Sequence, residues 1–71
     1  MSKLAIFNYD LQEIIILNVS DEQEEKLFNV YEENTYDWLC EEGIDEKLGF
    51  SVNSIDYMWF EDDETIRYES V

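Results

Sequence analysis

Nineteen carboxylates and one thiol are nearly all the reactive chemistry this chain offers, because it has no histidine and only four lysines and arginines. The densest acidic run is Glu61-Asp62-Asp63-Glu64. As a calcium or magnesium loop it lacks the twelve-residue ligand pattern with its central glycine and closing glutamate. It is expected to form a solvated hairpin turn that also offers a contact for arginine or lysine on a partner. A carboxylate pair can hydrolyse a glycoside. Among nineteen acids such a pair arises by chance, and 71 residues leave little room for a substrate cleft. Cys40 sits between Leu39 and Glu41, an anionic flank that disfavours the thiolate. With no histidine to act as base beside it or beside any serine, nucleophilic hydrolysis is unsupported. One cysteine cannot form an internal disulfide, and a zinc site is not expected. Cys40 therefore reads as a small core or boundary residue. No catalytic residue, metal or cofactor is expected.

Charge is the dominant property. Nineteen acids against four cations leave a net charge of −15, where solubility alone needs a magnitude of only ~2–8. Self-repulsion of this size opposes compaction. Seven Ile, five Asn and five Tyr beside one Ala and no Pro suggest AT-rich coding. Such coding also favours lysine, yet only Lys3, Lys26 and Lys47 occur. Cations are scarce against that background, which points to acidity maintained for use. The apolar fraction of 45 % and aromatic fraction of 15 % nevertheless supply a core, so the chain is not expected to be disordered. No apolar run is long enough to span a bilayer, and Met1-Ser2-Lys3 does not open a signal peptide. A cytoplasmic location is expected.

The elements that must position these groups follow from periodicity. Lys3 to Tyr9 and Glu13 to Val19 read as strands, the second a continuous apolar run. Ser20-Asp21-Glu22-Gln23 is a capping box. Leu27, Phe28, Tyr31, Thr35, Trp38 and Leu39 then form one helical stripe that ends at Gly43. One long helix over about 21–42 is expected, with a break near Asn34. A short helical turn at 45–49 follows, then strands over 54–60 and 65–69. The expected fold class is a single α+β domain over residues 1–71. It has a small antiparallel sheet in ββαββ order and one long helix packed on one face. Tyr57, Trp59 and Tyr68 are expected to meet Phe28, Tyr31 and Trp38 in the core. The second sheet face lacks a cover, with Phe7, Tyr9, Ile15, Leu17, Met58 and Phe60 as candidates to line it. It could serve a homodimer or another partner.

The long helix would carry Glu22, Glu25, Glu32, Glu33, Asp37 and Glu41 off its apolar stripe, relieved only by Lys26. Duplex DNA presents one phosphate per ~1.7 Å of axis. A helix rising about 1.5 Å per residue can array carboxylates at comparable density. Small size, acidity and lack of a catalytic site resemble the class of DNA-mimic inhibitors, including phage anti-CRISPR and anti-restriction proteins. The resemblance is one of size and charge and rests on no motif. It implies an inhibitor that blocks a basic site on a nuclease or other nucleic-acid-binding protein, without touching nucleic acid or membrane itself. The partner-binding residues expected are Glu22, Glu25, Glu32, Glu33, Tyr36, Asp37, Glu61, Asp62, Asp63 and Glu64. Tyr36 is the aromatic anchor expected among them. Two other classes remain open: a structural or adaptor subunit docking through the apolar sheet face, and a small divalent-ion-binding domain.

Overall fold

The computed structural model describes residues 2–61 and 66–71. Strands β1 (Ser2–Asn8) and β2 (Glu13–Val19) form an antiparallel hairpin, with Asn8 opposite Glu13 and Ser2 opposite Val19. In the connecting loop Gln12 takes a left-handed φ of 53°. Three helices follow, α1 (Asp21–Asn29), α2 (Thr35–Glu41) and α3 (Ile44–Leu48), and then a 3-10 turn at Val52–Ser54. Strand β3 (Ile55–Phe60) returns antiparallel to β1 on its other edge, which gives the sheet order β2-β1-β3. The molecule is thus a small α+β protein with a three-stranded antiparallel sheet. No helix among the described residues is long and apolar enough to cross a membrane.

The pleat sorts the strand residues by face. Leu4 stands opposite both Leu17 and Trp59, and Ile6 opposite both Ile15 and Tyr57. These six belong to the core side, where Leu4 and Ile6 are fully buried and the other four pack against them. Val19, Leu27, Trp38, Leu39, Phe50 and Ile55 complete the buried cluster. Their neighbours in sequence face the other way. Ala5 is paired with Ile16 and Met58, and Phe7 with Ile14. Of the candidates for the uncovered face, Phe7 and Met58 therefore lie on it, and Phe60 lines the same groove. Ile15 and Leu17 do not. In a run apolar at every position the pairing with β1 decides the face, and it leaves Ile14, 67 % exposed, and Ile16 on the open side.

The expected long helix is two helices. Val30 to Asn34 interrupts it, and Glu32 and Glu33 adopt φ of 52° and 67° there. The Glu33 amide donates back to the Leu27 carbonyl at 2.8 Å, while Asn34 Oδ1 caps the new helix by accepting from the Asp37 amide at 3.1 Å. A residue whose side chain can satisfy a first-turn amide competes with helix continuation, and Asn34 does so here. Phe28, still within α1, is 53 % exposed rather than in the core. Gly43 takes the left-handed conformation after α2 and opens α3.

The expected fourth strand does not form over 66–69, which carry no regular structure. Thr65 lies outside the described residues. The acidic segment before it has no glycine or Asn-Gly pair, which a tight hairpin needs for its positive φ. The returning segment offers only Ile66 and Tyr68 for burial, and Tyr68 is 88 % exposed rather than in the core.

Left-handed backbone costs a residue with a Cβ roughly 1–2 kcal/mol. Glu32→Gly is therefore expected to raise unfolding free energy by about 0.5–1 kcal/mol in urea titrations. Glu25→Gly removes the same charge from the middle of α1 and is expected to lower it by up to about 1 kcal/mol.

Candidate functional site

Ser20 Oγ accepts from the Gln23 amide at 3.3 Å, so α1 starts where the capping box places it. Gln23 does not complete the box. Its Oε1 accepts instead from the Trp38 indole at 3.1 Å and ties α1 to α2. Trp38 is 1 % exposed, and its ring lies 5.7 Å from that of Trp59. The Trp59 indole in turn donates to Thr35 Oγ1 at 3.0 Å. Both indole N–H groups are satisfied, which allows two such large rings to pack inside a small domain.

Upon this frame the expected contact residues fall into separate groups. Glu22 and Glu25 are exposed on α1, three residues apart and so on one side of it. Glu32 and Glu33 are exposed in the left-handed connector, Tyr36 and Asp37 in the first turn of α2, and Glu61 just beyond β3. Asp62, Asp63 and Glu64 lie outside the described residues. The continuous acidic rod does not exist: α1 is only about 14 Å long, and the connector redirects the acids beyond it. Tyr36 is a partly held ring rather than a free one. It meets Tyr57 edge-to-face at 5.2 Å, and burial followed by the Asp56 charge pushes its hydroxyl pKa up.

Cys40 is exposed, not a core residue, because α2 turns Trp38 and Leu39 inward and leaves the next position outside. Partial desolvation of the sulfur and then Asp45 push its thiol up, so it is a poor nucleophile. No group of three potential metal-ligating side chains is assembled among the described residues.

Two acids that matter were not in the expected set. Glu24 and Glu42 lie on the apolar stripe itself, Glu24 one turn before Leu27 and Phe28, Glu42 one turn after Trp38 and Leu39. That spacing was the available signal, and both are half-buried. Glu42 is well supported: Tyr31 OH donates to its Oε2 at 2.6 Å and Lys26 Nζ to its Oε1 at 3.2 Å. The Tyr31 hydroxyl, then Lys26, hold its carboxyl below the usual range. The hydrogen bond to Glu42 is in turn the main reason that the Tyr31 hydroxyl is pushed up to about 12. Glu24 has no such support. Its Oε1 and Asn8 Oδ1 are the buried side-chain oxygens that lack a hydrogen bond among the described residues.

Glu24 lines a cavity of about 250 Å³ that Glu33, Phe28, Tyr57 and Trp59 also line. Among the described residues, Glu33 is the only expected contact residue that reaches it. A larger groove of about 380 Å³ runs over the open sheet face between Ile14, Ile16, Met58 and Phe60 and the terminal residues Ile66 to Tyr68. Comparison with protein families, curated proteins and solved structures finds no match to this chain.

The Tyr31–Glu42 bond links stability to pH at both extremes. Glu42's contribution is present above its ordinary pKa of 4.5 and is lost as pH falls through its lowered folded value. Tyr31's contribution is present below its ordinary 10.0 and is lost as pH rises through about 12. Tyr31→Phe is expected to remove Tyr31's share of the alkaline loss between pH 10 and 12 and to leave the share of Tyr36 and Cys40. It should also move Glu42 back toward 4.5 in a carboxyl NMR titration.

Proposed function

We propose that the protein is a non-enzymatic acidic inhibitor that occludes a basic site on a nuclease or other nucleic-acid-binding protein. It would work in the manner of the anti-CRISPR and anti-restriction inhibitors, inside a bacterial host cell. The observation that carries this reading is the charge. Even if every lysine and arginine were paired, fifteen carboxylates would remain in excess on a 71-residue chain. Lys26 and Arg67 already face Glu42 and Glu69 at 3.2 and 2.7 Å. The acids at positions 22, 25, 32, 33, 37 and 61 are all exposed. Their field steers a positively charged groove toward the protein and disfavours phosphate and anionic lipid. The broken helix suits a curved or recessed basic site better than a straight channel, because its acids point from three short segments.

The test is capture of partners from a bacterial lysate by the tagged protein, followed by challenge with duplex DNA, single-stranded nucleic acid and rising salt. Release of a nucleic-acid-binding protein by competitor and by salt is expected. A partner indifferent to both would overturn the reading. With that partner in hand, the triple reversal Glu22→Lys, Glu25→Lys, Asp37→Lys is expected to weaken binding by about tenfold or more at physiological salt. Its salt dependence should flatten while circular dichroism stays unchanged.

The open sheet face favours a second reading, an adaptor subunit that oligomerises or docks through apolar contact. Met58 is 56 % exposed there beside Ile14 and Ile16. Under that reading Met58→Lys abolishes assembly in sedimentation experiments, and the acid reversals leave it intact.

A further inference from the structure

The cavity between α1, the connector and β3 pairs two kinds of wall. Phe28, Tyr57 and Trp59 give it aromatic surface, and Glu24 and Glu33 give it carboxylates. The Trp59 indole N–H is already committed to Thr35 Oγ1, so it adds no free donor for an anion. Glu24 Oε1 is buried and accepts no hydrogen bond among the described residues. A buried carboxylate oxygen in that state is destabilising unless a donor reaches it. Among the described residues no lysine or arginine lines the cavity.

We infer that this cavity is a receptor for an arginine side chain of a partner. The guanidinium fits each wall by its own chemistry. It is planar and weakly hydrated, so it stacks on aromatic faces, and its fork of N–H donors meets carboxylates with two bonds at once. A lysine ammonium can pair with the carboxylates but gains less from three rings. The cavity's volume of about 250 Å³ is below the ~300–1,000 Å³ of small-molecule sites. That suits one inserted side chain rather than a metabolite or cofactor. Glu33 belongs to the site because the connector's left-handed backbone, φ 67°, places an acid at the cavity edge. The inference deepens the inhibitor reading and rests on it for the source of the arginine. Within an interface held by long-range charge, this is the place for a short-range, saturable contact.

The test uses the intact chain and N-butylguanidinium chloride as probe. Sodium chloride at equal ionic strength and the uncharged N-butylurea serve as controls, followed by two-dimensional NMR. Saturable shifts at the Trp59 indole N–H and the Phe28 ring are expected with the guanidinium alone. Glu24→Gln is expected to weaken the probe by about fivefold or more, whereas Glu25→Gln, on the outer side of α1, leaves it unchanged. Glu24→Gln is nearly isosteric at a half-buried side chain whose Oε1 lacks a hydrogen bond among the described residues, and so should not unfold the protein. Phe28→Leu keeps both carboxylates, removes one ring and is expected to weaken the probe as well. Shifts that follow sodium chloride, or equal effects of the position 24 and 25 variants, would overturn the inference. The probe reports on the cavity whether or not any basic protein is captured, so failure here and failure of the inhibitor reading are told apart.

Discussion

The burial of Trp38 is the contact on which the rest of the helical layer depends. The helices of nine, seven and five residues are each shorter than the ~12–15 residues at which an isolated helix becomes even marginal in water. They hold because their apolar sides meet one another and the sheet. Trp38 is where α1, α2 and β3 converge, through the Gln23 amide oxygen on one side and the Trp59 ring on the other. Thr35, itself buried, extends the link by accepting from Trp59 at the start of α2. Two indole hydrogen bonds and one ring contact thereby join Gln23, Trp38, Trp59 and Thr35 across the layers. Leucines in the same places would leave that join to shape alone.

Charge and packing meet at the boundary of this layer. Acids on the outer sides of α1 and α2 add repulsion and no burial, and water and salt screen them. The two acids on the stripe are different. Glu42 is accommodated by a phenol and an ammonium, so its charge helps close the gap between α1 and α2. Glu24, in the first turn of α1, receives no donor at its buried oxygen among the described residues. The contrast between them is the observation on which the proposed arginine site rests.

Local chemistry made some of this legible in the sequence. The start of α1 follows from Ser20, the break from Asn34, and the end of α2 from Gly43, each a residue whose own side chain or φ does the work. The exposure of the outer acids was equally readable. What escaped were the properties set by distant partners. Gln23 was expected to return to its own helix end, and a tryptophan fifteen residues away claims it. The run Ile14-Ile15-Ile16-Leu17 has no internal preference for either face, so only its register against β1 assigns them. The final strand failed because alternation in two residues cannot recruit a sheet edge. The cavity was invisible because its walls come from α1, the connector and β3.

Strand β2 has a further consequence. It forms one border of the sheet, so half of its peptide groups have no neighbouring strand, and its sequence Glu13-Ile14-Ile15-Ile16-Leu17-Asn18-Val19 is rich in β-branched residues with no proline or glycine. Segments of this kind recruit copies of themselves and stack into cross-β fibrils. Each recruit here would bring fifteen negative charges into register with fifteen more, roughly 5 Å apart along the stack. The acidity that we propose draws in a basic partner would therefore also protect the molecule against polymerising through its own border.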